Sequence, residues 1–510
     1  MSIAIETPLA PRTVAHSRAL PPWWPLAALT LLAAALRLST LGLQSFWFDE
    51  AFTPVHVLHP SLFKTLHSLT QTENSPPLWY IVEWADYRVL GTSEWALRLP
   101  SALAGIALVP VAWGIGRELA GRAAAIGTAA IVTVSPIFVW YSQEARVYGL
   151  YALASGVLIL CFLRLLSRPE DRGRMIAFAA SGAIALLTHY FTAFLLAGMA
   201  LWLLWRPETR RRCIPALAAI GAVGLALLPL ISAQGGRNTS WIGHWALASR
   251  LESIPRYFLT GYNGAPLGHS IELLVALPLL GACAVGVWQL LQLPPGAVPS
   301  PAEAAHRRGA AISLWLAACG FGIPLILAIG GADYLAPRNV LGAMVPTAAL
   351  IAVLATWPRT WPLGAALLAL GVAGLMAVTV DIDLSPRLQR GNWRGLARTI
   401  PRGGPERAYT TVLLGSAPLE HYVSGLRRLR AHETFSVREI VETGERPLKK
   451  RAGSPPPGFR LVESHEVNGL VAFRFLAPSS HQLSEEQLRH DVVDAAEPWV
   501  LVPAYGRSPR

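Results

Sequence analysis

Two adjacent carboxylates, Asp49 and Glu50, stand among three aromatic rings in the run Ser45-Phe46-Trp47-Phe48-Asp49-Glu50-Ala51-Phe52-Thr53. The run begins just past the first long apolar block, where a membrane-spanning helix emerges into water. A carboxylate beside hydrocarbon loses hydration, so an acid at this depth either lines a polar cavity or caps a helix N-terminus, where the macrodipole favours negative charge. In a cavity its chemistry is general-base catalysis, in which it takes the proton of an incoming hydroxyl. Side chains one residue apart on a helix point about 100° away from each other, so the two acids divide the work. Asp49 is the candidate base, and Glu50 orients a helix or binds an acceptor.

Other charged and aromatic groups recur between apolar blocks. Glu144, Arg146 and Tyr148 alternate, which turns all three the same way if the segment is extended and only Glu144 and Tyr148 if it is helical. They form either an interfacial salt bridge or a second acid with a phosphate-binding cation. Arg338 is a further candidate for phosphate, since guanidinium matches phosphate oxygens bidentately; the alternative is an arginine snorkelling from a helix end. His189 contacts sugar or phosphate, or is a satisfied interfacial histidine. Trp47, Trp79, Trp84 and Trp95 suit an aromatic belt at the membrane surface as well as stacking on a sugar or a prenyl chain.

The elements that position these residues are apolar and long. The 510 residues are 53% hydrophobic and only 15% charged, against roughly 25% charged in a soluble domain, and the mean hydropathy is +0.41. Many apolar blocks approach the ~20 residues that cross a bilayer. Spans are expected at about 25–43, 95–115, 123–141, 148–166, 175–190, 191–205, 214–233, 270–292, 310–330, 339–357 and 361–380. The two at 175–205 are short, but both flanking loops are strongly basic and want the same side of the membrane, which demands an even number of crossings between them. Eleven crossings put the termini on opposite sides. The arginine-rich connections then lie with the N-terminal tail, residues 1–24, in the cytoplasm. The first loop, residues 44–93, lies outside with the other acidic turns and carries two amphipathic interfacial helices, at 50–69 and 77–90.

From Asp381 the composition becomes that of a soluble α/β domain, residues 381–480, with helices at 386–400 and 417–429, a strand at 409–415 and a hairpin at 460–475 turned by Asn468-Gly469. Residues 481–510 read as a loosely ordered tail. The net charge of +12 is spread over short loops as membrane topology requires, so no nucleic-acid partner is expected. Cys161, Cys213, Cys283 and Cys319 lack metal-ligand spacing. Asp381-Ile382-Asp383 has the acid-x-acid spacing of metal-dependent sugar transferases but falls at the outer end of the last span, where nucleotide sugars are not expected. No cofactor is implied, and a need for a divalent metal stays open.

Four segments, in order and on one side of the membrane, give the chain a familiar look. Asp49-Glu50 after the first span resembles the acidic pair in the first outer loop of membrane-embedded GT-C glycosyltransferases. Ser75-Pro76-Pro77-Leu78-Trp79-Tyr80, followed by Glu94-Trp95-Ala96-Leu97-Arg98-Leu99-Pro100-Ser101, is similar to a PPL segment and the ALRLPS entry to the second span. Ser142-Gln143-Glu144-Ala145-Arg146-Val147-Tyr148 resembles a SQEARxY turn, and Thr188-His189-Tyr190-Phe191 an HYF turn. The resemblance is to glycosyltransferase family 39 and its bacterial relatives that decorate lipid A, lipopolysaccharide or proteins. Asn74 stands where relatives place His or Lys, and Asn339, after Pro337-Arg338, where they place an aromatic residue.

What the resemblance implies is a hexosyl- or pentosyltransferase in a bacterial inner membrane, with its site facing outward. Its partners are a sugar donor on a polyprenyl phosphate, the bilayer, and a glycolipid, glycan or protein acceptor. Asp49 and Glu50 then serve catalysis, with Glu144, Arg146, Tyr148, His189 and Arg338 at the donor's phosphate and sugar. Asn74, Pro76, Pro77 and Tyr80 line the acceptor side. A lipid-linked glycan flippase would share the spans, but it calls for paired halves and midplane charges. A lipid-linked oligosaccharide ligase or polymerase centres on a late outer loop. The topology has a direct test: an alkaline phosphatase fused at Arg510 is expected to be active in the periplasm, and activity of a cytoplasmic reporter there would reverse it.

Overall fold

The structure is a computed structural model that describes residues 23–235, 240–262, 267–292, 299–401, 403–445, 457–492 and 498–504. Its helices are α1 (Trp24–Leu38), α2 (Phe48–Phe52), α3 (Leu62–Thr72), α4 (Leu78–Leu90), α5 (Glu94–Ala120), α6 (Arg122–Val134), α7 (Pro136–Ser142), α8 (Tyr148–Ser167), α9 (Arg172–Thr188) and α10 (Thr192–Trp205). There follow α11 (Pro207–Gln234), α12 (Ser240–His244), α13 (Leu247–Thr260), α14 (His269–Leu291), α15 (Pro301–Ile329), α16 (Leu341–Ala355) and α17 (Trp361–Leu384). A C-terminal unit adds α18 (Trp393–Thr399), β1 (Arg407–Thr411), α19 (Leu413–Tyr422), β2 (Leu426–Arg428), β3 (Thr434–Glu445), β4 (Arg460–Val467), β5 (Leu470–Ser484), α20 (Glu485–Val492) and β6 (Trp499–Pro503).

The chain is a helical, multi-pass membrane protein. Among the described residues seven helices are long and apolar enough to cross a bilayer: α5, α8, α11, α14, α15, α16 with the 3₁₀ turn Pro337–Val340 before it, and α17. The bent pair α6–α7 adds an eighth if it forms one broken span rather than a re-entrant loop. Helices α1 and α10 are apolar but shorter, and α9 has 17 residues. Each of the eleven segments expected to span is therefore helical, one of them as the bent pair, and seven meet the length for a crossing, or eight with the pair counted as one span.

The bend of 57° between α6 and α7 has a proline at its root. Pro136 has no amide hydrogen to give to the carbonyl of Val132, four residues back. Arg37, fully buried at the far end of α1, donates to that carbonyl at 3.0 Å and to Thr133's at 3.0 Å. It donates also to the Ser142 hydroxyl at 3.2 Å. A methyl group at Gly105 would stand 2.8 Å from its Nε and closer still to Ser142, so α5 presents a glycine there. At Gly149 an added methyl would come within 2.9 Å of the Ser101 carbonyl, the close helix approach that small residues allow.

The first loop departs from the two expected helices. The stretch read as one helix over 50–69 is α2, a π-type turn Thr53–Val57, an extended step and then α3. Pro60 explains the step, because it disfavours helical backbone at His59 and offers no donor of its own. Leu58 is already extended, with φ −76° and ψ 130°. The second helix, α4, falls where the pattern put it.

In the C-terminal unit β2-β6-β1-β3-β5-β4 form one sheet, parallel only between β1 and β3. The residues read as a loose tail from 481 are instead the end of β5, then α20, then β6, which lies between β2 and β1 with Val500, Leu501 and Val502 buried. Residues 493–497 and 505–510 of that stretch lie outside the described residues, as do residues 1–22 of the N-terminal tail. The helix expected over 386–400 is a short turn, Pro386–Leu388, and then α18. The strand expected to 415 ends at Thr411, and α19 starts and stops earlier than its apolar pattern suggested, leaving 426–428 to pair as β2.

The unit docks on the first loop. The Tyr422 hydroxyl accepts from the Phe46 amide at 2.7 Å and donates to Glu94 at 2.8 Å. Arg394 donates to Glu94 at 2.9 Å and to the Leu43 carbonyl at 2.8 Å. Ala417 of α19 packs with Phe46, Ala51, Leu58, Leu97 and Ala145.

Arg37 also offers a stability test. Replacing it with Met leaves two carbonyls unsatisfied in apolar surroundings, at about 1–3 kcal/mol each. The Tm of the detergent-held protein is expected to drop accordingly in Arg37→Met and to move much less in Ser142→Ala.

Candidate functional site

Helix α2 carries both acids of the first loop, and it turns them apart. Glu50 points inward and is fully buried. Its oxygens receive Nε and Nη2 of Arg98 at 2.6 and 2.7 Å, and one of them also accepts the Ala145 amide at 2.9 Å. Arg98 spends its remaining donors on the carbonyls of Leu41, Gln44 and Ser45 at 3.0, 2.8 and 3.1 Å. All five of its N–H groups are thus in use. Burial alone would raise the Glu50 pKa, but Arg98 and Arg390 outweigh it and hold the carboxyl low.

Asp49 points the other way, to a partly open surface. Its carboxylate accepts Nη1 of Arg338 at 2.6 Å, and the two side chains are 20% and 23% exposed against 0% and 1% for Glu50 and Arg98. Arg338 also lies 5.8 Å from the centre of the Tyr148 ring. The segment that delivers Arg338 is pinned by Arg250 of α13, which grips Asp333 at 2.5 and 2.6 Å and the Leu335 carbonyl at 2.9 Å.

The turn between α7 and α8 brings in the second group. Gln143 fastens it to the end of α1 through the carbonyls of Leu36 and Arg37 and the Thr40 hydroxyl. Glu144 and Arg146 both reach the neighbourhood of Asp49, but with different partners. Arg146 forms a bidentate pair with Glu73 at 2.7 and 2.9 Å and touches the Thr53 hydroxyl at 3.3 Å. Glu144 is fully buried, with one oxygen 3.5 Å from Arg390 and the other without a hydrogen-bond partner. Burial, relieved in part by Arg390 and reinforced by Glu50 and Asp49, lifts its pKa to about 7.

The remaining expected residues fall around these ion pairs. His189 stacks on Tyr151 at 4.2 Å and lies 6.1 Å from the Tyr148 ring. Burial, with Arg338 and Arg146 nearby, depresses its pKa to about 3, so the imidazole is neutral. Tyr80 is buried beside the Glu73–Arg146 pair, and Pro76 is buried while Asn74 and Pro77 are half-buried on the loop before α4. Gln234 of α11 holds that loop by the Ser75 carbonyl at 3.0 Å.

Three participants carried no assigned role in the sequence. Arg98 stands inside the ALRLPS segment, and a lone arginine amid apolar residues at a helix start was its signal. Glu73 immediately precedes Asn74. Arg390 lies beyond the last span in the stretch read as a helix over 386–400, where nothing marked it as a site residue, yet its guanidinium lies 3.9 Å from the Trp140 ring centre and 3.5 Å from both Glu50 and Glu144. Tyr262 stacks on Trp140 at 6.1 Å and neighbours Trp47 at 6.3 Å, extending an aromatic wall beside the acids. Among the described residues no three His, Cys, Asp or Glu side chains are grouped to hold a metal ion.

Residues 74–233 match the family described as dolichyl-phosphate-mannose-protein mannosyltransferase. The chain is similar to membrane-embedded glycosyltransferases. The PPL, ALRLPS, SQEARxY and HYF segments all lie within the matched stretch, and Asp49-Glu50 precedes it. Two crystal structures of ArnT from Cupriavidus metallidurans resemble the chain, one in the apo state and one bound to undecaprenyl phosphate. Each is 14% identical; they cover 88% and 89% of this chain and 97% and 98% of their own, with TM-scores of 0.42 and 0.40. The oligosaccharyltransferase of Archaeoglobus fulgidus, in complex with Zn and sulfate, is 14% identical over 74% of this chain and 56% of its own, with a TM-score of 0.42. No curated protein matches the sequence.

Charge in the cluster suits an anion whose binding follows pH. Asp49, Glu50, Glu73 and Glu144 balance Arg98, Arg146, Arg338 and Arg390 when all are ionised, and protonating Glu144 leaves one positive charge in excess. Affinity for a phosphodiester anion, whose own charge is constant near neutrality, is therefore expected to rise as pH falls through about 7. Titration of binding against pH checks this, and Glu144→Gln should hold the low-pH affinity throughout.

Proposed function

We propose that the protein is an inverting glycosyltransferase that moves a sugar from a polyprenyl-phosphate carrier to an envelope glycolipid, glycan or protein acceptor at the outer face of a bacterial inner membrane. The observation that carries this reading is the division between the two acids of α2. Glu50 is locked by Arg98, whereas Asp49 keeps a partly exposed carboxylate 2.6 Å from Arg338. A carboxylate and a guanidinium thus stand side by side at the open edge of a buried charge network, which supports reading them as base and phosphate ligand.

The chemistry needs both. The acceptor oxygen attacks the anomeric carbon as the bond from that carbon to the carrier's phosphate oxygen breaks. The acceptor proton passes to Asp49, and the bonding pair leaves with the phosphate. Arg338 meets the charge that grows on the leaving group, and its move from carboxylate to phosphate frees Asp49 to act as base. Arg146 and neutral His189 border the same space, with Tyr148 beneath Arg338. Glu50 keeps α2 in place, Glu144 sets the charge of the site, and Asn74, Pro76, Pro77 and Tyr80 face the acceptor. The family match over residues 74–233 supports the donor class, and one-sided placement of the charges supports an enzyme over a transporter.

Purified protein is expected to transfer sugar from a polyprenyl phosphate and to ignore UDP- and GDP-sugars. Turnover of a nucleotide sugar without lipid carrier would overturn the reading. Asp49→Asn should lower turnover by roughly 10²–10⁴-fold, the worth of a positioned base, with little change in Tm. Glu50→Gln should act mainly on stability, since breaking a buried pair costs about 3–5 kcal/mol. Near-normal transfer by Asp49→Asn would assign the base elsewhere.

A further inference from the structure

Arg390 belongs to the stem that joins α17 to the C-terminal unit. Its backbone amide donates to the Gln44 side chain at 3.0 Å, and the next carbonyl, of Gly391, accepts the Ser45 hydroxyl at 2.9 Å. The stem is therefore stitched to the very residues whose carbonyls Arg98 holds. A methyl group at Gly391 would meet Leu470 of β5 at 3.3 Å, so the same stem is pressed against the sheet on its other side.

The guanidinium is 2% exposed, lies 3.9 Å from the Trp140 ring centre and stands 3.5 Å from a carboxylate oxygen of each of Glu50 and Glu144. These contacts are longer than those that Arg98 makes to Glu50, and they leave polar atoms over. Nε of Arg390 and Oε1 of Glu144 are buried without a hydrogen-bond partner. Arg98 has no donor to spare for Glu144, so Arg390 is the cation that balances the second buried acid.

We propose that Arg390 is a positioning residue of the candidate site: one guanidinium, laid on Trp140 and shared between Glu50 and Glu144, holds Glu144 beside Asp49 and Arg338 and makes the stem of the C-terminal unit part of that site. It rests on the glycosyltransferase reading only for the identity of the anion that binds. Around Glu144 the other charged or titratable groups are Asp49 and Glu50 from α2, Arg338 before α16, Tyr141 from α7, Tyr148 from α8, and Tyr262. Of these only Glu50 is also shared by Arg390. Removing Arg390 takes away the nearest positive charge from Glu144, so the carboxyl keeps its proton to higher pH.

The test titrates binding of a short prenyl methyl phosphodiester to the full chain in nanodiscs, for the wild type, Arg390→Met and Arg390→Lys. In Arg390→Met the midpoint of the affinity profile is expected to rise by about one pH unit or more, a tenfold change in the proton equilibrium. Arg390→Lys should restore the midpoint but not the affinity, because an ammonium cannot lie flat on Trp140 and reach both acids. A wild-type midpoint in Arg390→Met overturns the proposal. If that variant yields no monodisperse protein, Trp140→Leu keeps the charge and removes the ring beneath it; an unmoved midpoint there overturns the proposal equally. Should the wild type bind no phosphodiester at any pH, the glycosyltransferase reading fails. Infrared difference spectra of the protonated carboxyl band, absent in Glu144→Gln, then still report whether Arg390 governs Glu144.

Discussion

A buried ion pair is costly to desolvate, and it holds a structure together only where further hydrogen bonds use up its remaining capacity. Glu50 and Arg98 meet that condition. One guanidinium satisfies a carboxylate and three carbonyls of the connection between α1 and α2, and the carboxylate in turn takes the Ala145 amide. Helix α5, the first loop and the turn before α8 are thereby fixed to one point. Every candidate residue on the first loop or on that turn inherits its place from this junction.

From that fixed point the site loosens outward. Arg390 stands 3.5 Å from its acids, Arg146 pairs with Glu73 at the edge of a proline-rich loop, and Arg338 pairs with Asp49 where both are partly exposed. Pairs of that last kind gain little from their own attraction. Each can yield to a ligand that offers a better anion or a better cation. The gradient from locked to exchangeable runs across a single short helix, and its cause is geometric. Two consecutive acids on α2 cannot face the same way.

The long apolar blocks were legible because a bilayer imposes length and composition directly, and all eleven appear as helices. Asp49, Glu144, Arg146, Tyr148 and Arg338 were legible as candidates because charge beside hydrocarbon is rare and short motifs bracket it. Their pairings were not. Nothing local says that Arg146 chooses Glu73, or that Arg390, some 250 residues after Glu144, closes the cluster. The break between α2 and α3 was written in Pro60 but hidden by an apolar pattern that continues across it. The sheet was legible only in its hairpin and in part of β1, since short single strands such as β2 and β6 leave little periodic trace.

The position of β6 in that sheet also orders the protein's own making. Trp499–Pro503 sits between β1 and β2 rather than at an edge, so the sheet cannot close until those residues have been synthesised and delivered to its side of the membrane. Helix α19, which bears Tyr422 and Ala417 against the acidic helix, packs on that sheet. A ribosome still working on the spans thus carries a chain whose first loop is already made but not yet clamped. The clamp on the acidic helix therefore arrives late, as the nascent chain is completed, rather than growing with each helix inserted.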